Sequence, residues 1–374
     1  MTARQQYLSY VRQGGDFFCS PQIGAGAGFD AKLAGKTWLS ETTTEDTIKA
    51  CRQFDMLPLF NFPLPDLSCL CDSLRWETVS EALLPDGKRH TVRRLSTPRG
   101  DLETHFLEQP LLGGAQTKFP VTEEADLSLL EYYLDCLLAC SDFSPITRAV
   151  QEIRRQVGED DALDIQWAMQ PYELLGFPNV LDTSVLALEC PHTFRRLMDK
   201  ILLLDERLLP AVAAGGADFV FLGGPGSELI PPAYYEEFLI PYSQTLSAMA
   251  HAQGLLIYSH ICSPIEPMLS LGYYNQMGID LFETLSEPPV GNVKSLEDAF
   301  SKLDGAICTR GNLGLDLLLT ASPAEILDRS VRILETAQRM GRKHILAASD
   351  YLFYDTPAEN VHAMCEAVRR FHSL

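Results

Sequence analysis

The chain has 374 residues, of which 46% are hydrophobic and 21% charged, a composition typical of globular proteins. Its formal net charge of -20 excludes a nucleic-acid surface and docking on anionic lipid, because both partners require a positively charged face. Charged residues interrupt even the apolar stretch 201–224, so no segment is long enough to cross a bilayer. Residues 1–6 lack the hydrophobic segment of a signal peptide, and we therefore expect a cytoplasmic protein.

Ten cysteines are spread along the chain without the regular spacing of a disulfide framework. Their distribution suits free thiols in a reducing compartment. Cys69-Leu70-Cys71 is the tightest pair, but no second pair with metal-ligand spacing accompanies it in the sequence. Metal binding by this pair alone therefore has little support.

Short apolar runs alternate with segments of helix length, a pattern that predicts an α/β protein with a parallel sheet. The predicted strands are, in chain order, 17–20, 57–62, 164–169, 218–222, 255–258, 280–285, 306–309 and 344–348. The predicted helices lie near 193–214, 232–252, 264–276, 295–303, 322–340 and 357–371. Eight βα units predict a single (β/α)8 TIM barrel over residues 1–374.

A long excursion over residues 63–142 separates the second and third predicted barrel strands. Its centre, at 76–80, 91–95 and 102–107, alternates in the manner of an antiparallel ribbon, and Pro85-Asp86-Gly87 predicts a hairpin turn. We interpret the excursion as an insertion on the barrel rim that serves as a lid or as the contact of a homodimer.

Polar residues at the carboxyl ends of the strands are the candidate site residues, because barrel enzymes place their chemistry there. These residues are Cys19, Ser20, Gln22, Asn61, Gln170, Tyr172, Glu173, Glu228, His260, Cys262, Glu283, Arg310, Asn312, Asp350 and Tyr351. Among them, Glu283, Arg310 and Asn312 are predicted to be catalytic.

His260 and Cys262 are the most informative of these residues. They lie two apart at the end of an apolar run, so as part of a strand they point to the same side. Ser263-Pro264-Ile265-Glu266 has the pattern of a capping box and predicts a helix directly after Cys262, whose amides would favour a thiolate. Together with Glu283 and Asp350, the two residues supply the ligand types of a zinc site. The alternative is an inert core cysteine beside a hydrogen-bonded histidine.

Several segments resemble the uroporphyrinogen decarboxylase superfamily, which includes the cobamide-dependent methyltransferases. The similar segments are His260-Ile261-Cys262, Gly278-Ile279-Asp280-Leu281-Phe282-Glu283, Gly311-Asn312-Leu313-Gly314, Thr356-Pro357-Ala358-Glu359-Asn360-Val361, Gly216-Ala217-Asp218-Phe219 and Tyr234-Tyr235-Glu236-Glu237-Phe238. The resemblance covers about 160–374 and implies a barrel fold.

In the methyltransferase branch, the resemblance implies zinc held by a histidine, a cysteine and a second cysteine after strand eight. His260 and Cys262 match the first two positions, and Asp350 falls on the third, so a carboxylate replaces the last thiolate. Glu283 would be a fourth ligand or would orient His260. The implied reaction moves a methyl group to or from a corrinoid on a partner protein, or to a thiol acceptor.

The decarboxylase branch implies an alternative, a metal-free decarboxylase that acts on a carboxylate substrate. That branch has an arginine-rich early segment, whereas residues 15–21 of this chain contain no arginine, which disfavours a porphyrinogen with many carboxylates. A smaller carboxylate would then be clamped by Arg310, with Asp350 or Glu283 as general acid. A third interpretation is a barrel that binds a tetrapyrrole or corrinoid without turnover.

Overall fold

The structure is a computed structural model that describes residues 1–167 and 174–373. The strands are β1 (Leu59–Pro63), β2 (Trp76–Leu83), β3 (Arg89–Thr97), β4 (Gly100–Gln109), β5 (Gly113–Lys118), β6 (Ala162–Gln166), β7 (Phe219–Phe221), β8 (Leu256–His260), β9 (Leu281–Glu283), β10 (Cys308–Leu313) and β11 (His344–Ala348). The helices are α1 (Ala3–Gln13), α2 (Phe29–Leu33), α3 (Thr44–Cys51), α4 (Leu127–Ala139), α5 (Ser144–Val157), α6 (Val180–Glu189), α7 (Pro191–Ala214), α8 (Pro232–Tyr234), α9 (Ile240–Ala252), α10 (Leu296–Lys302), α11 (Leu315–Thr320), α12 (Pro323–Arg339) and α13 (Ala358–His372).

Seven parallel strands form a curled sheet in the order β1-β6-β7-β8-β9-β10-β11, with helices between them, as in TIM-barrel-like folds. The predicted first strand is reduced to a single parallel bridge between Cys19 and Leu346. Ser20 N donates to Leu346 O at 2.8 Å, and Leu57 N donates to Cys19 O at 3.0 Å. Segment 18–20 therefore lies between the two edges of the sheet and links them.

A separate antiparallel sheet, β2-β3-β4-β5, lies in the chain between β1 and β6. The predicted ribbon and hairpin are present, since Leu84 N donates to Lys88 O at 2.7 Å across the Pro85-Asp86-Gly87 turn. The fourth strand, β5, was not predicted. The use of this sheet as a lid or subunit contact stays a prediction.

The interior of the curled sheet has an apolar floor beneath a polar layer. Leu59, Phe219, Leu256, Leu281 and Ile345 belong to one apolar cluster, which Tyr7 and Tyr10 of α1 cover at the amino-terminal ends of the strands. Two residues further along their strands, on the same side, the side chains are mostly polar. This polar layer comprises Ser20, Asn61, Asp164, Tyr258, Glu283 and Arg310, all of which are buried.

Amphipathic helices cover the outside of the sheet. The Ser322 hydroxyl accepts a hydrogen bond from Glu325 N, and the Glu325 carboxylate accepts from Ser322 N in return, which begins α12 as predicted. The buried face of α12 includes Ile326, Ile333 and Leu334, and the helix packs on β10 and β11. Among the described residues, no helix is both long and apolar enough to cross a membrane.

The predicted helix directly after Cys262 is wrong. Residues 266–272 form turns, and within the predicted range 264–276 only the short 3-10 segment Tyr274–Gln276 is helical. Pro267 cannot donate a backbone hydrogen bond and disfavours helical geometry at Glu266. The amides of Ile265 and Glu266 donate instead to Asn292 Oδ1, at 2.9 and 3.0 Å. Cys262 therefore has no helix N-terminus beside it.

Candidate metal centre

His260, Cys262 and Asp350 meet at the carboxyl-terminal edge of the sheet. His260 is the last residue of β8, Cys262 follows it by two residues, and Asp350 lies two residues beyond β11. One ligand atom from each side chain lies within 4.8 Å of the other two. His260 Nε2 is 3.3 Å from Asp350 Oδ1. The structure thus brings together the three predicted ligand residues, here called the metal triad.

Glu283 contacts His260 of the metal triad from inside the curled sheet. It ends β9, directly opposite His260 of β8, and is 0% exposed. Its Oε1 lies 2.7 Å from His260 Nδ1 and also accepts from the Tyr258 hydroxyl. Its Oε2 accepts from Gln22 Nε2 at 3.0 Å and lies 3.2 Å from Arg310 Nε. This carboxylate fixes the imidazole ring and directs Nε2 toward Asp350.

Burial and neighbouring charges shift the pKa values of Glu283, His260 and Asp350 in opposite directions. Burial alone would raise the pKa of Glu283, but Arg310 and His260 outweigh it and leave that pKa below its ordinary value. Burial would likewise lower the pKa of His260, yet hydrogen bonds to Asp350, Cys262 and Glu283 raise it well above its ordinary value. Asp350 keeps a lowered pKa despite its burial, because His260 hydrogen-bonds to it. Without a bound metal, the imidazolium is thus held between two carboxylates.

Arg310 is fully enclosed in the polar layer. Its Nε donates to Ser20 O at 3.0 Å and pairs with Glu283. Both terminal nitrogens, Nη1 and Nη2, are buried without a hydrogen-bond partner among the described residues. Unsatisfied donors of a buried cation are costly, so these two nitrogens are a place where water or a ligand oxygen would be stabilised.

Asp164 is a member of the polar layer that the sequence analysis missed. It lies at the centre of β6, and its Oδ2 accepts from Asn61 Nδ2 at 2.8 Å. Burial raises its pKa to about 8, so the carboxyl is mostly protonated at neutral pH. Asp164 Oδ1 and Asn61 Oδ1 have no partner among the described residues. A carboxylate within the apolar run Ala162-Leu163-Asp164-Ile165 was the available signal, but the strand was predicted to begin at Asp164.

Among the other predicted site residues, Tyr351 lies next to the metal triad and Asn312 makes its hydrogen bonds elsewhere. Tyr351 lies beside the triad, with its ring centroid 5.5 Å from that of His260, and its hydroxyl accepts from Gln166 Nε2 at 3.3 Å. Asn312, predicted to be catalytic, donates to Leu285 O at 3.3 Å and to Glu287 Oε1 at 3.5 Å, neither of which belongs to the triad. The predicted candidates Gln170, Tyr172 and Glu173 lie outside the described residues.

Fold and site together define a TIM-barrel-like α/β protein with candidate metal ligands at the carboxyl ends of its strands. A family model described as uroporphyrinogen decarboxylase (URO-D) matches residues 114–371, and the chain belongs to this family. The resemblance stated from the sequence is thereby confirmed. The family consists of enzymes, among them decarboxylases and methyltransferases.

The similar proteins carry two different names. Uroporphyrinogen decarboxylase of Syntrophotalea carbinolica is 26% identical over 199 residues, covering 52% of this chain and 54% of that protein. The enzyme of the same name from Gluconobacter oxydans is 24% identical over 185 residues, covering 48% and 49%. The chain thus spans about half the length of the curated relatives it matches. A solved methyltransferase from Methanosarcina mazei has a TM-score of 0.67 at 16% identity, covering 100% of this chain and 99% of that one, which shows a shared fold.

Proposed function

We propose that the chain is a zinc-dependent methyltransferase that moves a methyl group to or from a corrinoid partner or a thiol acceptor. The observation that carries the proposal is the convergence of one nitrogen, one sulfur and one oxygen ligand within 4.8 Å in the metal triad. The methyltransferase that shares this fold supports the same reaction class.

The donor set of the triad fits zinc. His260, Cys262 and Asp350 would hold the ion through one nitrogen, one sulfur and one oxygen, each of them a donor type that zinc accepts. Three protein ligands leave one coordination position for substrate or water, as catalytic zinc sites require. A thiolate and a carboxylate would also balance the 2+ charge of the ion. When bound there, zinc supplies a Lewis acid that keeps a substrate thiol deprotonated near neutral pH.

The surrounding residues hold the ligands in position. Glu283 holds the proton of His260 on Nδ1, so that loss of the Nε2 proton on metal binding would leave the Nε2 lone pair directed into the triad. Arg310 and Gln22 hold Glu283 as a charged carboxylate in a buried position. Because these contacts lie inside the sheet, where solvent does not reach Glu283, the imidazole has one orientation before any ligand binds.

Metal analysis tests the proposal. Protein purified without chelator is expected to contain about one zinc per chain, and the His260→Ala, Cys262→Ala double variant is expected to lose it. His251→Ala, Cys69→Ser is the matched control, because both residues are more exposed and lie outside the triad. If the folded wild-type protein takes up no zinc even when zinc is added back, the mechanism is wrong.

A second candidate is a metal-free decarboxylase that acts on a carboxylate substrate. The names of the curated relatives support it. The two terminal nitrogens of Arg310, which have no hydrogen-bond partner among the described residues, also suit a carboxylate. Asp350 or Glu283 would then be the general acid. Carbon dioxide release that persists after complete zinc removal favours this candidate over methyl transfer.

A further inference from the structure

The two cysteines of the tight pair Cys69-Leu70-Cys71 have neighbours that the sequence does not reveal. Cys71 separates the short 3-10 segments Leu67–Leu70 and Asp72–Leu74, which follow β1. Cys136 and Cys140 lie one turn apart at the end of α4, so they share one side of the helix. The fold places this end of α4 against the Cys71 turn.

Cys140 makes direct contact with that turn. Its Sγ donates to Leu70 O at 3.2 Å, the carbonyl of the residue that precedes Cys71, and to Cys136 O at 3.3 Å. Leu70 is bonded directly to Cys71, so this contact brings the Cys140 thiol to the Cys71 turn. Burial raises the pKa of the Cys140 thiol, and the Cys71 thiol raises it further. Cys71 Sγ lies 3.0 Å from Ser73 Oγ, a hydroxyl that can donate to a thiolate.

Accessibility distinguishes this pair from the four buried thiols. Cys71 and Cys140 are partly exposed, whereas Cys19, Cys51, Cys308 and Cys365 are buried. A small reagent can therefore reach one sulfur, and the second sulfur contacts the backbone of the same turn. All ten cysteines are free thiols in this structure.

We propose that Cys71 and Cys140 form a reversible disulfide by exchange with a low-molecular-weight disulfide such as oxidised glutathione. Cys71 attacks one sulfur of the reagent as a thiolate, and one glutathione thiolate leaves. Cys140 then loses its proton and attacks the Cys71 sulfur of the mixed disulfide, which releases the second glutathione. The protein loses two hydrogens and is oxidised, and the reagent is reduced to two thiols.

The cross-link would tether the turn that leads from the curled sheet into the antiparallel sheet. Leu67 of that turn and Tyr133 of α4 line a cavity of about 830 Å³ between the two sheets. Gln166, which hydrogen-bonds to Tyr351 beside the metal triad, lines the same cavity. Oxidation would therefore fix the wall of a cavity that adjoins the candidate site, independently of which reaction occurs there.

Peptide mapping of the full-length protein tests this inference. After incubation of the folded protein with oxidised glutathione and blocking of free thiols, the unreduced digest is expected to contain a Cys71–Cys140 cross-linked peptide. Cys69→Ser is the matched control and is expected to retain the cross-link. In Cys140→Ser, Cys71 is expected to accumulate as a stable glutathione adduct, because the attacking thiol is missing.

Three results would overturn the inference. The first is a glutathione adduct on Cys71 that forms equally in the wild-type protein and in Cys140→Ser. The second is a disulfide that joins Cys71 to Cys69 or Cys136 in place of Cys140. The third is a Cys71 thiol that stays unmodified under conditions that modify the exposed Cys69.

Amide hydrogen exchange tests whether the cross-link tethers the turn. In the oxidised wild-type protein, exchange over 67–74 is expected to slow, and an unchanged exchange rate would contradict the tether.

Discussion

Glu283 and Arg310 form an ion pair inside the curled sheet, with 3.2 Å between Oε2 and Nε and neither side chain exposed to solvent. The other oxygen of Glu283 faces His260 Nδ1 at 2.7 Å. One carboxylate therefore connects a buried cation to the imidazole of the metal triad. Removing its negative charge would leave Arg310 without a counter-charge and would weaken the hydrogen bond to His260.

Glu283→Gln is expected to weaken zinc binding by about 10–100-fold, the range found when a residue that orients a metal-binding histidine is replaced. The amide of glutamine is a weaker acceptor for His260 Nδ1–H and leaves Arg310 without its counter-charge. Competition with a chromophoric chelator measures the affinity. Glu287→Gln is the control, because that residue does not contact His260. Equal affinities for Glu283→Gln and the wild-type protein would contradict the assigned role.

Arg310→Met is expected to lower the free energy of unfolding by about 3–5 kcal/mol, because it leaves the Glu283 carboxylate buried without its cation. The double variant Arg310→Met, Glu283→Leu removes both charges and is expected to recover much of the loss. Urea unfolding of the wild-type protein and the variants measures the difference. If the single variant is as stable as the double variant, the two charges are not coupled.

Asp164→Asn is expected to change how stability depends on pH. Because the folded pKa of Asp164 is raised to about 8, the folded state holds a proton that the unfolded chain has lost above pH ~4. Stability therefore falls as pH rises from ~4 toward ~8, and this penalty is fully present above ~8. The amide side chain of the variant cannot ionise, so the variant should gain on the order of a few kcal/mol over the wild-type protein at pH 8 and little near pH 4.

Chemical denaturation at pH 4.5, 6 and 8 measures this effect. Asp160→Asn is a useful control, because that carboxylate lies just before the same strand and is exposed to solvent. A difference between Asp164→Asn and the wild-type protein that does not grow with pH would show that Asp164 is ionised in the folded protein.

Asp350→Cys is expected to tighten zinc binding by about tenfold or more, because a second thiolate replaces a harder carboxylate ligand. Asp350→Asn, which removes the charge and keeps the shape, should weaken binding. Both affinities are measured by chelator competition at one pH. If neither variant differs from the wild-type protein, Asp350 is not a ligand, and the proposed donor set would need to be revised.

The metal triad was accessible from the sequence because it depends on local patterns. His260 and Cys262 end a recognisable strand, and Asp350 follows the last apolar run, so the rule that strand ends converge brings them together. For the predicted helix after Cys262, Pro267 was a local signal against helix formation that the capping-box pattern outweighed. The other reason for the failure is Asn292, thirty residues away in sequence, whose side chain takes the amide hydrogen bonds. Local signals cannot include such a partner.

Strand β5 shows another limit of sequence reasoning. The segment Gly113-Gly114-Ala115-Gln116-Thr117-Lys118 has no apolar alternation and forms a strand because β4 offers it a pairing edge. At Gly114, a Cβ atom would clash with the Phe106 ring, so a larger residue there would have to displace that ring. Asp164 was missed for a related reason, because a two-residue error in the strand start hid its central position.

The bridge that joins Cys19 to Leu346 has a consequence for the order of folding. Residues separated by more than 300 positions must meet before the two edges of the curled sheet are linked, so this contact carries a large loop-closure entropy. During synthesis, segment 18–20 cannot pair with β11 until β11 has left the ribosome, so one edge of the segment stays unpaired until then. Chaperone binding to nascent chains that end before residue 344 is therefore expected to exceed binding to chains that extend beyond β11.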